Sequence, residues 1–229
     1  MERLQLQYTL RDWFNVSAGR HHTPLGYWNS AFHHGKYFQT SVDRPLFLDF
    51  DDEGGILPVH SVGMEVWGRK DFSPFGLLYS FDISNGRGKN TGLIQNVKDT
   101  NHDKAFAFQV ALEPNVLPGL RIGGNFYTDR LPPDRDDPTR IRSIRENIFG
   151  AHLIYLSGNY ELLSELFRIQ HRDKTSNKNF YTNALYVQLA YEMGDFKPFY
   201  RFEHVDFDGA DPFFTSFIDE NNDLTRNSF

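Results

Sequence analysis

Val62-Gly63-Met64-Glu65-Val66-Trp67, then Lys70-Asp71-Phe72-Ser73-Pro74, then Phe75-Gly76-Leu77-Leu78-Tyr79-Ser80-Phe81-Asp82-Ile83: residues 62–83 read as two strands and the turn that joins them. Val62, Met64 and Val66 alternate with Gly63, Glu65 and Trp67, and Phe75, Leu77, Tyr79, Phe81 and Ile83 are set against Gly76, Ser80 and Asp82. Successive side chains of a strand point to opposite faces, so this period of two gives each strand one apolar and one largely polar face.

The same alternation runs outward in both directions. Upstream, Leu4, Leu6, Tyr8 and Leu10 alternate with Gln5, Gln7 and Thr9, and Val16 and Ala18 with Asn15 and Ser17. Downstream it recurs at Phe106–Leu112, Leu120–Phe126, Phe149–Tyr155, Leu185–Tyr191 and Pro198–Phe202. The stretch from Tyr160 to about Arg172 is ambiguous, because Glu161 and Glu165 share a face with Leu163 and Phe167, and a bulge is one reading of it. Ten strands are expected, with Asp219 to Asp223 as loop and Asn227-Ser228-Phe229 as the start of another strand.

The connections are as informative as the strands. Short turns at Arg11, Lys70, Pro114, Ser157 and Gly194 alternate with long polar connections over about 20–58, 84–103, 128–144, 172–179 and from 208 onward. Tight turns at one end and longer loops at the other are the pattern of an antiparallel up-and-down transmembrane β-barrel. A Greek-key sandwich has no reason to keep its short turns on one side. Trp13, Phe14, Phe72, Phe75, Tyr160 and Phe196 cluster near the short turns, where an interfacial aromatic girdle would lie.

Composition points the same way. The 229 residues include 22 Phe and 11 Tyr, yet 24 % are charged and the mean hydropathy is −0.54. So many rings in so polar a chain suit a wall facing lipid. There is no cysteine, which excludes disulfides and thiol chemistry. A net charge of −6 without a basic stripe argues against nucleic acid as a partner. Met1-Glu2-Arg3-Leu4 is already strand-like and shows no export signal, which leads us to expect one barrel domain over residues 1–229, a fragment incomplete at both ends. The expected location is the Gram-negative outer membrane, with its lipid as partner.

Ala18-Gly19-Arg20-His21-His22-Thr23-Pro24-Leu25-Gly26-Tyr27-Trp28-Asn29, and the later Gly55-Ile56-Leu57-Pro58-Val59-His60-Ser61-Val62-Gly63, resemble segments of the phosphate-selective porin (O and P type) family, where a Gly-Arg step ends a strand and a Thr-Pro segment opens a long loop. The resemblance implies a trimeric barrel of about sixteen strands, with loops folded inward to narrow a pore for ions and small hydrophilic solutes. It extends over about residues 18–67. Phosphate selectivity would need convergent Arg and Lys in the lumen, and the residues depart from that.

With the apolar faces turned to lipid, the expected pore-lining acids are Glu65, Asp82, Glu161, Glu165, Glu192 and Glu203. Arg69, Arg121 and Arg201 stand against them, with Gln109, Asn125 and Gln188 between. That balance is acidic and predicts weak cation preference or little selectivity. The 20–58 connection is the expected constriction loop, with His33, His34, Lys36 and Arg44 facing Asp43, Asp49, Asp51 and Asp52, because opposed charges at a narrowing screen solutes by charge.

Metal and cofactor sites are not expected. Adjacent His residues on a strand point to opposite faces, and Asp49 to Glu53 reads as a solvated acidic turn. Asn85-Gly86-Arg87-Gly88-Lys89 lacks the strand–loop–helix setting of a phosphate loop. No catalytic motif is present, so no enzyme is expected. The rival readings are an outer-membrane barrel with an enzymatic or adhesive role, which needs a Ser/His or carboxylate constellation on the outer rim, and a soluble all-β binding protein.

Overall fold

The computed structural model describes residues 4–32, 39–41, 43–51, 54–92, 98–99, 101–134, 136, 140, 142–218 and 223–228. The chain is all-β. The main strands are β1 (Leu4–Arg11), β2 (Phe14–His22), β5 (His60–Asp71), β6 (Phe75–Ser84), β7 (Ala105–Pro114), β8 (Leu120–Leu131), β9 (Ile144–Ser157), β10 (Tyr160–Asp173), β11 (Asn179–Tyr191), β12 (Phe199–Asp206) and β13 (Asp223–Ser228). The first long loop adds a two-residue hairpin, β3 (Phe50–Asp51) with β4 (Gly54–Gly55), and a short helix α1 (Tyr27–Ala31); α2 (Thr215–Ile218) lies in the last loop.

The eleven main strands form one sheet whose spatial order is the chain order, every neighbouring pair antiparallel. β13 is the strand beyond the ten that alternation predicted, and Asp223 had read as loop. β10 is regular: its register with β9 and β11 is continuous from Tyr160 to Arg172, without a bulge. Strands of ten to fourteen residues meet the ~9–11 that a tilted strand needs to cross a bilayer. Among the described residues β1 and β13 do not pair with each other, so the sheet has two edges.

The two faces differ as the period of two requires. Leu6, Met64, Phe108, Phe149, Leu166 and Leu189 stand exposed on the convex side. At the short-turn end, Trp13 meets Phe14, Phe72 meets Phe75 and Tyr160 meets Tyr191 in ring contacts.

The other face differs from a simply polar lumen. Leu25, Trp28, Phe47, Leu48, Ile56 and Leu57 of the first long loop pack on Tyr127, Ile148, Leu163, Phe167, Ile169 and Tyr186 of the strands, forming a dry core inside the sheet's curve. This explains why β10 carries Glu161 and Glu165 on the same side as Leu163 and Phe167. That face meets a folded loop, which supplies both hydrogen-bond donors and apolar surface. Phe47 sits over Phe167 at a centroid distance of 5.2 Å.

Candidate functional site

The first long loop folds across the concave face, and polar strand residues fasten it there. Its base is closed by the Thr23 N–H donating to Val59 O (3.0 Å), Asn29 Nδ2 donating to Thr23 O (2.8 Å) and His21 Nε2 against Asp82 Oδ1 (2.6 Å). The chain then turns at Gly26, whose φ is +75°, into α1. The N–H groups opening a helix have no partner within it. Here Tyr27 N–H (2.6 Å) and Trp28 N–H (2.9 Å) donate to the Glu165 carboxylate, which also accepts the Tyr186 hydroxyl (2.9 Å). A Cβ at Gly26 would lie 2.2 Å from Glu165 Oε2, so only glycine permits this approach.

Further along, Thr40 Oγ1 donates to Glu161 (2.8 Å), which also accepts Gln188 Nε2 and Lys197 Nζ (2.7 Å each). Buried Arg201 donates to Asp43 O (2.9 Å) and to Glu203 Oε1 (2.8 Å), and Glu203 accepts the Leu46 N–H. The loop thus leaves the sheet between β2 and β5 and docks on β10, β11 and β12.

A cavity of about 480 Å³ remains between this loop and the strands from β1 to β9. Its charged lining is Glu65, Arg69 and Arg121, with His21, His22 and His152, and Trp67, Tyr79 and Leu78 give it apolar flanks. Arg121 donates through Nε to Glu113 Oε1 (2.8 Å) and lies 5.2 Å from the Tyr27 ring centroid. Glu113 also accepts Arg69. His152, 3 % exposed, has no hydrogen-bond partner at either ring nitrogen.

A second cluster sits at the long-loop end. His171 Nδ1 meets Asp211 Oδ2 (2.7 Å) and its Nε2 meets Glu146 Oε1 (3.0 Å), while Arg87 donates to the same Glu146 oxygen (2.9 Å). Phe213 lies under both Arg87 (4.8 Å) and Arg140 (4.9 Å). This cluster joins the 84–92 segment to the last loop.

Glu65, Arg69, Gln109 and Arg121 of the expected lining border the open cavity. Asp82, Glu161, Glu165, Gln188, Arg201 and Glu203 are on the concave face but buried, most of them bonded to the first loop or its base. Asn125 is there too, buried with no partner at either side-chain end. Glu192 is placed differently: it is exposed in the turn after β11, because that strand ends at Tyr191. Of the expected constriction residues, Asp43 and Arg44 lie on the docked part, Asp49 is exposed, and Asp51 ends the first strand of the short hairpin. His33, His34, Lys36 and Asp52 lie outside the described residues. Tyr27, Glu113 and His152 were not singled out from sequence, because neither alternation nor spacing reports what a loop 80 or more residues away touches. Among the described residues no group of three or more His, Asp or Glu could hold a metal ion.

No family model matches the sequence and no curated protein matches it. Solved structures do, and two of them are outer-membrane proteins. One is OmpT of Vibrio cholerae, folded in vitro and described as an outer membrane protein, at 14 % identity and TM-score 0.45, covering 87 % of this chain and 76 % of that one. The other is outer-membrane-expressed OmpT of Vibrio cholerae, at 12 % identity and TM-score 0.44, covering 86 % and 67 %. Both are proteins of the outer membrane, where the sequence reading places this chain. The finer resemblance to phosphate-selective porins is not confirmed by any of these comparisons.

The expectation of no enzyme is corrected. It rested on the absence of motifs and of a rim constellation. The long-loop end does hold a histidine between two carboxylates, His171 with Glu146 and Asp211. Separations of 25 and 40 residues hid it from motif reading.

Proposed function

We propose that the protein is a channel for ions and small hydrophilic solutes, a barrel in the outer membrane whose first long loop narrows the lumen. The observation that carries this reading is the pairing of a lipid-type exterior with an interior loop that leaves a polar cavity unfilled. A soluble sheet would bury its apolar alternate residues against a second layer, yet Leu6 is 79 % and Leu166 55 % exposed while the polar face is covered. In hydrocarbon an unpaired strand edge leaves backbone groups unsatisfied at several kcal/mol each. In the bilayer β1 and β13 are therefore paired, with each other or with further strands.

We read the open part of the lumen as less acidic than the whole lining. Glu161, Glu165 and Glu203 are engaged by the docked loop, and Glu192 is in a turn. Two guanidiniums and one carboxylate line what remains, and Glu113 bonds both guanidiniums, so the open part is close to neutral and little selectivity is expected.

Ion current across a planar bilayer, after refolding in detergent, tests the proposal. Stepwise conductance with a reversal potential close to zero in a salt gradient is expected. Folding in plain buffer with no conductance overturns it.

A further inference from the structure

From the same cavity we infer that Arg121, His152 and Tyr27 form a binding subsite for small organic monocarboxylates; this rests on the channel reading. Arg121 on β8 pairs with Ile154 of β9, and His152 pairs with Gly123. The two are therefore diagonal neighbours on one face, within reach of each other's long side chains. Gly123 makes room for the imidazole, since a Cβ there would lie 2.4 Å from His152 Nε2. The Tyr27 ring, delivered by the loop, faces both, with centroids 6.4 Å from the His152 ring and Arg121 Cζ 5.2 Å from its own.

His152 is the second, independent observation. A buried polar group without a partner costs about 1–3 kcal/mol, and both of its nitrogens are in that state, turned away from the cavity of about 480 Å³ that the ring borders. Glu165, its cross-strand neighbour on β10, cannot accept its proton readily, being taken by Tyr27 N–H, Trp28 N–H and the Tyr186 hydroxyl. A carboxylate held by the Arg121 guanidinium, which favours planar oxyanions, supplies the missing acceptor once the His152 ring turns toward the cavity.

The remaining lining selects the class. Trp67, Tyr79 and Leu78 flank the cavity with apolar surface that suits a hydrocarbon or aromatic body. Glu65 on the same wall, and Glu113 on Arg121, oppose a second negative charge. A monoanion with an apolar body satisfies all of these groups, whereas inorganic phosphate satisfies only the cations.

The test uses the full chain refolded in detergent micelles, with imidazole ring ¹H–¹⁵N signals followed during titration with benzoate. Benzamide serves as the uncharged isostere and inorganic phosphate as the alternative anion; bilayer conductance is measured separately. The expected result is a saturable shift of the signal that His152→Gln removes, no response to benzamide, and at least tenfold weaker benzoate binding in both His152→Gln and Arg121→Gln. Heat-modifiable gel mobility identifies any variant that fails to fold, and wild-type competition between benzoate and phosphate then decides. No shift, a shift that survives both substitutions, or tighter binding of phosphate overturns the subsite while conductance leaves the channel standing. Binding of benzoate without conductance overturns the channel and keeps the site.

Discussion

The Glu165 carboxylate accepts the Trp28 N–H at 2.9 Å across 137 residues of sequence. A loop leaving the sheet beside β2 is thereby anchored on the fourth-last strand, and the anchor is made of backbone donors that any loop sequence would offer. What is specific is the carboxylate and the glycine before it. Replacing Glu165 with Ala leaves Tyr27 N–H, Trp28 N–H and the Tyr186 hydroxyl without their acceptor, at about 1–3 kcal/mol for each that stays buried. The loop then undocks. Single-channel conductance is expected to rise, with faster protease cleavage inside the loop; unchanged conductance and cleavage contradict the anchoring role.

Gly26→Ala tests the same junction from the other side. The positive φ strains any side chain, and the new Cβ would meet both Glu165 Oε2 and Phe167. The variant should reproduce the conductance gain of Glu165→Ala, and the double variant should gain little more, because both changes break one contact. Additive gains would mean that the two residues act separately.

The fold was legible in the sequence because alternation is a local signal. Residues 62–83 alone set the period and the turn, and the structure pairs Val66 with Phe81 and Glu65 with Asp82 across that turn. The alternating short and long connections gave the meander. The face that most of these polar residues take was legible too, since it follows from parity along the strand. The interior core was not. Leu163 and Phe167 looked anomalous beside Glu161 and Glu165 only because their partners, Phe47 and Trp28, arrive from more than a hundred residues upstream. His171 with Asp211 and Glu146 was hidden for the same reason. β13 was read only from Asn227 onward, because Asp223 and its flanking polar residues carry no clear apolar alternate.

The outer loops are tied by charge, and the tie has a pH window. Lys89 Nζ meets Asp134 Oδ1 at 2.9 Å. That bond to Lys89 holds the Asp134 carboxyl below its ordinary value of 3.8, and the same bond raises Lys89 above 10.5. A depressed carboxylate contributes above its unfolded pKa and is lost as pH falls through the folded one. A raised amine contributes below its unfolded pKa and is lost as pH climbs through the folded one. The contact therefore persists from below pH 3.8 to above pH 10.5 and fails only outside that range. A spin label at Asn90 should stay immobilised across it and become mobile at neutral pH in the double variant Asp134→Asn, Asp136→Asn, since Lys89 also bonds Asp136. A label that mobilises near pH 5 would show that the contact does not form.

The lipid-facing assignment makes the sharpest demand, because it sets neighbours on one strand apart by parity alone. Leu166, on the convex face of β10, is 55 % exposed, while Leu163, three residues earlier and facing the interior, is 2 % exposed. In a bilayer Leu166→Arg places a charge in hydrocarbon, which costs about 2–4 kcal/mol near the midplane of a β-barrel wall. In a water-soluble protein the same substitution at an exposed site changes stability by about 0.5 kcal/mol or less. Leu163→Ala instead removes core packing, at about 2–5 kcal/mol in either setting. Urea titration of folding into phospholipid vesicles separates the two cases. Both variants should be destabilised if the convex face meets lipid. A neutral Leu166→Arg beside a damaged Leu163→Ala would mean that this face meets water.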